Sequence, residues 1–310
     1  MRKILLGCLL LATMGAHAQD ETIKKLKTEA AKEIKKEKDP ADTLPQAWKR
    51  GGVYNLTLAQ GSLSNWATGG DEFSLSLNSL LSLFAFYKEG PISWDNTLDF
   101  TLGYLRTTSL GSRKNDDRID LLSKVGRAVS DDWNVAGLVN FRTQMLKGYE
   151  YKQSERTMTS AFLSPAYLLT SIGMDYKPTE RFSVFLSPAT ARWVFVKDDS
   201  LAAKGLYGVA PGKNSRTELG AFASATFLTD MEKPVSYKGR LDLFSNYRRN
   251  PQNIDIFFTN LLAVKLSKVL AVTWNVDLIY DDDVRLFGDN GTSPAVQLKS
   301  LVGAGLSVKF

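Results

Sequence analysis

From residue 52 onward apolar and polar residues alternate one by one. Phe73, Leu75, Leu77, Leu81 and Leu83 occupy one set of alternate places, with Ser74, Ser76, Asn78 and Ser82 between them. In the next segment Trp94, Leu98, Phe100, Leu102 and Tyr104 stand against Asp95, Thr97, Asp99, Thr101 and Gly103. A period of two separates the faces of a strand, whereas a helix would mix them. The same pattern recurs strongly over 133–145, 235–247 and 270–280, and more weakly over 53–60, 118–129, 161–176, 182–196, 217–227, 254–266 and 296–310. Twelve strands are predicted. Pro165 and Pro188 interrupt two of them, and a proline in a ladder implies an edge, a bulge or a strand end.

The strong segments carry apolar faces long enough to cross a hydrocarbon core of ~25 Å when tilted. Links between segments alternate in length. Long ones (61–70, 107–117, 146–160, 197–216, 248–253, 281–295) take turns with short ones (88–91, 130–132, 177–181, 229–234, 267–268). A transmembrane barrel has this asymmetry, with short turns inside and long loops outside. The fold expected is all-β: a closed antiparallel transmembrane barrel of about twelve strands, both termini periplasmic and no free edge. Trp94, Trp133, Phe182 and Tyr237 fall near one rim and Tyr104, Tyr247 and Tyr280 near the other, as an aromatic girdle requires.

The start of the chain fits export. Arg2 and Lys3 precede an apolar run, and Ala16-His17-Ala18 offers a cleavage site, so residues 1–18 read as a signal peptide. Residues 19–48 are rich in Lys and Glu and read as a charged periplasmic arm, helical or disordered; the barrel is expected over 49–310. Cys8 and His17 are the single cysteine and single histidine, and both fall in the leader. The remaining chain then has no disulfide, no thiolate or imidazole chemistry, and no Cys or His metal site. No catalytic residues, cofactor or metal are expected, and the protein reads as a non-enzyme. Mean hydropathy is −0.17, as alternation demands of a chain whose every second residue is polar. Loss of Arg2 and Lys3 lowers the formal charge from +6 to +4, with signs interspersed and no nucleic-acid footprint.

The polar faces supply the candidate site. Asp95, Asp99, Asp120, Lys124, Arg142, Lys238, Arg240, Asp242, Lys265 and Asp277 are expected to line the lumen. Antiparallel register across the 130–132 turn sets Asp120 opposite Arg142 and predicts an ion pair. Asp95 and Asp99, four residues apart on one face, would lie ~13 Å apart, too far for a shared reaction centre. Asp281-Asp282-Asp283 and Asp289-Asn290-Gly291 lack the spacing of a calcium loop and read as a solvated loop.

Between the first two strands stands Asn65-Trp66-Ala67-Thr68-Gly69-Gly70. This stretch resembles the N-W-A-x-G-G signature of a Bacteroidota outer-membrane β-barrel family of unknown function, DUF 3078. Trp94, the G-L-Y-G of residues 205–208 and the terminal Phe310 extend the resemblance, and an alternating last strand that ends on Phe is similar to the closing strand of many bacterial barrels. The resemblance implies a cell outer-membrane location and leaves the substrate unassigned; Asn65, Trp66, Gly69 and Gly70 form its loop motif. The function expected is a porin-like narrow channel for small polar solutes. The alternative is a structural or adhesion barrel, closed inside, that binds partners through its outer loops. Expected partners are membrane lipids and lipopolysaccharide, the barrel assembly machinery and a small polar solute, with no nucleic acid.

Overall fold

A computed structural model describes residues 47–62, 72–152, 155–229, 234–285 and 293–309. The leader, residues 19–46 of the charged arm, the loop motif Asn65, Trp66, Gly69 and Gly70, residues Asp289 to Gly291 and Phe310 lie outside the described residues.

Twelve antiparallel strands close into one ring: β1 (Trp48–Ser62), β2 (Phe73–Glu89), β3 (Ile92–Thr107), β4 (Gly111–Ala128), β5 (Trp133–Thr143), β8 (Ala166–Thr179), β9 (Phe182–Phe195), β10 (Ser215–Leu228), β11 (Val235–Asn246), β12 (Ile254–Lys265), β13 (Leu270–Tyr280) and β14 (Gln297–Lys309). Each pairs with its neighbour in the sequence, and β1 pairs with β14 from Val53↔Lys309 to Thr57↔Gly305. At that seam Gly305 is packed so closely that a Cβ would lie 1.9 Å from the Leu56 carbonyl oxygen. The hairpin β6 (Gly148–Lys152) and β7 (Glu155–Ser160) forms a separate two-stranded sheet. Closure leaves no edge strand in the ring, the condition for placing strands in hydrocarbon.

The sheet is inside out relative to a soluble protein. Many buried positions along the strands are polar: Asp120, Asn140, Asp175, Glu218, Asp242 and Asp277 are each at most 7% exposed. Exposed positions are apolar: Leu121, Val125, Val135, Val139, Leu186, Val302 and Leu306 stand outward, and Ile172 and Leu298 reach 68% and 67% exposure. No soluble sheet tolerates such a belt, whereas a bilayer demands it. Where a polar group does face outward it is paired locally. The Trp274 indole N–H donates to Ser300 Oγ (3.0 Å), and that of Trp94 to Ser123 Oγ (2.8 Å). Rings gather at the short-turn rim, where Trp48 meets Tyr87 and Trp94 at 5.1 and 5.7 Å and Trp133 meets Tyr176 at 4.9 Å.

Two expected links differ. Residues 107–117 are almost entirely strand, since β3 and β4 run on as a polar hairpin beyond the apolar belt and turn within Thr108 to Leu110. Residues 146–160, expected as a loop, fold into β6 and β7. Of the two interrupting prolines, Pro165 stands just before β8, while Pro188 sits inside β9 at a bulge where the registers to β8 and β10 both shift.

Candidate functional site

The inward faces meet in a continuous polar network that crosses the lumen. At its centre, Arg142 Nε lies 2.9 Å from Asp120 Oδ2, its register partner across β4 and β5. The same guanidinium also pairs with Asp242 of β11, and Arg240 pairs with Asp242 (2.8 Å) and Asp120 (3.5 Å). Asn140 Nδ2 donates to Asp120 (2.6 Å) and Ser224 Oγ to Asp242 (2.7 Å), so both carboxylates are supplied from several sides. The ring of Phe257 lies 3.7 Å beneath the Arg142 guanidinium. Buried charges persist when partners and hydrogen bonds replace the lost water, as here.

Toward the short turns, Lys124 pairs with Asp175 (2.7 Å), Lys177 with Asp95 (2.8 Å) and Lys238 with Asp99 (2.7 Å). The last pair joins β11 to β3, which stand diametrically opposite in the ring, so these two side chains span the interior. Next to the centre, Asp277 receives both Arg118 (3.1 Å) and Lys299 (2.7 Å). Beside the charges lies an apolar patch from five adjacent strands: Ala136, Leu138, Leu169, Phe185, Phe222 and Phe244.

The long-loop end is closed differently. The helix α1 (Asp199–Ala203) starts on Asp198, whose side chain accepts from the Ser200 and Leu201 amides. Leu201 and Ala202 pack with Ala161, Val194, Val196 and Val209, an apolar lid over the inward faces of β9. Below it, Arg192 pairs with Glu218 and with Asp255 (2.6 Å), and Arg216 pairs with Glu218 and Asp283. The acidic run expected as solvated is therefore partly drawn inward, because these arginines lie within reach. Asp281 is 4.0 Å from Arg192, and Asp283 holds Arg216 and also Arg249 (3.3 Å). Burial pushes the Asp281 carboxyl above its ordinary range despite Arg192. For Asp283 burial acts the same way, but the hydrogen bond and charge of Arg216, with Arg249, outweigh it and hold the group below that range.

Among the lumen candidates, Asp95, Asp99, Asp120, Lys124, Arg142, Lys238, Arg240, Asp242 and Asp277 take part in ion pairs. Lys265 ends β12 near the short turns, where its backbone N–H donates to the Pro234 carbonyl (2.8 Å). Sequence reasoning missed Arg118, Asp175, Lys177, Arg192 and Lys299. For Arg192 the cause is physical. The bulge at Pro188 shifts the inward phase from Phe185 and Ser187 to Thr190 and Arg192, so a strict period of two points it outward.

A cavity of about 500 Å³ opens at the long-loop end between the 205–210 loop and Lys213, Arg216, Arg249, Asp283 and Arg285. No metal-ligating cluster occurs among the described residues.

No curated protein matches the chain. Among solved structures, a FadL homologue from Pseudomonas aeruginosa aligns over 84% of this chain and 80% of its own, at 10% identity and a TM-score of 0.31. The TodX monoaromatic hydrocarbon channel deltaS2 mutant aligns over 88% and 86%, at 9% identity and 0.34. The ferric yersiniabactin uptake receptor FyuA from Yersinia pestis aligns over 86% and 52%, at 11% identity and 0.27. An inside-out closed barrel is the architecture of an outer-membrane protein, and in this one residues 58–149 match the family described as Protein of unknown function (DUF3078).

Proposed function

We propose that this protein is a non-enzymatic outer-membrane barrel with a closed lumen, which presents its long-loop end to the outside and binds partners there. One observation carries the reading: ion pairs cross the interior, with Lys238 meeting Asp99 and with Arg142, Asp120, Arg240 and Asp242 locked together. Removing one partner of such a pair costs about 3–5 kcal/mol, since the other is left charged and dry. A passage through the centre requires several of these pairs to part at once. Lipid surrounds the belt, lipopolysaccharide is the natural neighbour of the outer rim, and the barrel assembly machinery is the expected route of insertion.

A narrow channel for small polar solutes is the second reading. It is favoured by the lining, which is polar along most of its length, and by the wetter short-turn pairs. Lys177 and Asp95 have side chains 29% and 21% exposed, a vestibule open to water on that side. Planar-bilayer recording of purified protein separates the two. The closed barrel gives no sustained current in the wild type and acquires openings when the central lock is cut by Arg142→Ala. Regular unitary steps in the wild type would establish the channel.

A further inference from the structure

We infer that the cavity at the long-loop end is a binding site for a small ligand bearing phosphate groups. This rests on the reading of that end as the partner-binding face, and it names the chemistry bound there. The cavity's size, about 500 Å³, is that of a small-molecule pocket. Four cationic side chains line it, Lys213, Arg216, Arg249 and Arg285, against the single carboxylate of Asp283. That carboxylate is already engaged by Arg216 and Arg249. Counting also Glu218, which pairs with Arg216, and Asp282, which pairs with Arg285, four cations meet three carboxylates, and positive charge remains in excess by one.

The cations divide by their bonding. Arg216 is structural: it donates to the Gly208 carbonyl (2.8 Å) and pairs with Glu218 and Asp283. Arg249 and Arg285 are each tethered at one end, to Asp283 (3.3 Å) and Asp282 (3.1 Å), and their side chains are 57% and 49% exposed. Among the described residues each keeps guanidinium N–H groups without a partner, although Arg285 commits both Nε and one Nη to Asp282. Lys213 has no ion-pair partner among the described residues. The opposite wall is fixed in place, because Arg216 holds Gly208 and the Tyr207 hydroxyl donates to the Thr159 carbonyl. A fixed wall facing tethered guanidinium forks suits oxyanions, which such forks bind bidentately. Phosphate is the better match than carboxylate, since each phosphate brings about −1.5 to −2 charges to a site with surplus positive charge.

Isothermal titration of the purified protein with inorganic pyrophosphate at low salt tests the inference. Saturable binding at one site is expected, weakened by added salt, with at least tenfold lower affinity in the Arg249→Gln/Arg285→Gln double variant. Heat-modifiable gel migration verifies that the variant barrel is closed. Titration in nanodiscs identifies the source of the phosphate. If phosphatidic acid, unlike phosphatidylcholine, blocks the titration, the site takes a lipid headgroup; if both leave it intact, the site takes a soluble phosphate. Absence of pyrophosphate binding, equal affinity in the folded double variant, or citrate bound as tightly as pyrophosphate would each overturn it. None of these results bears on bilayer conductance, so the closed-lumen reading stands or falls separately.

Discussion

Asp120 and Arg142 face each other across β4 and β5, and the 2.9 Å contact between them anchors a group of four charges contributed by opposite walls of the barrel. Arg142→Met removes one of the two arginines that join Asp120 to Asp242 and leaves the group with one uncompensated carboxylate. The expected loss is about 3–5 kcal/mol in reversible urea unfolding, and much of it should return when Asp120→Asn is added, since one orphaned charge is then gone. Losses that simply add, with Asp120→Asn costing as much in the Arg142→Met background as it does alone, would show that the two residues act independently.

The seam between β1 and β14 sets a steric test. A Cβ at Gly305 would press into the Leu56 carbonyl, and backbone cannot step aside as a side chain can. Gly305→Leu should cost about 2 kcal/mol or more and diminish the folded, heat-modifiable band. Ala304→Leu, one residue away and facing lipid, should leave that band unchanged.

The long-loop end should respond to pH through Asp281. Its carboxyl is raised by burial, so between the ordinary carboxylate range and its raised value the folded protein binds the extra proton. Stability then falls as pH rises through that window. Asp283, held low, acts in the opposite sense: its contribution is present above the ordinary range and is lost as pH falls through its depressed value. Melting temperatures from pH 4 to pH 8 should decline less steeply in Asp281→Asn than in the wild type. Parallel curves would contradict the assignment.

Outward positions should be intolerant of charge. Val139 lies midway along β5 in the exposed belt, and Val139→Lys should cost about 2–4 kcal/mol in a bilayer. A loss below about 1 kcal/mol would mean that water, not lipid, meets this face.

These relationships were unevenly legible in the sequence. Alternation along β3 and β5 identified inward Asp95, Asp99 and Arg142 because nothing in those stretches breaks the phase, and the short 130–132 turn fixed the register that joins Asp120 to Arg142. Pro188 hid Arg192 by shifting the phase of β9. Cross-lumen partners such as Lys238 and Asp99 were individually visible as inward, but their pairing depends on ring closure, which places residues 139 positions apart within 2.7 Å. The mouth was least legible. Its cations come from three separate stretches of chain, and no local pattern announces that Lys213, Arg249 and Arg285 share a wall.

The defining property of this barrel is a sheet with a lipid-facing outside and a packed, dry centre. Single nitroxide labels at successive positions of β5, placed on cysteines in a Cys8→Ser background and studied in lipid bilayers, report this directly. The prediction is that Val135, Val139 and Phe141 are accessible to oxygen, while Ala136, Leu138 and Asn140 are accessible neither to oxygen nor to a water-soluble nickel reagent. Access of the nickel reagent to those inward positions would reveal an open, water-filled lumen, and loss of the alternation would contradict the barrel itself.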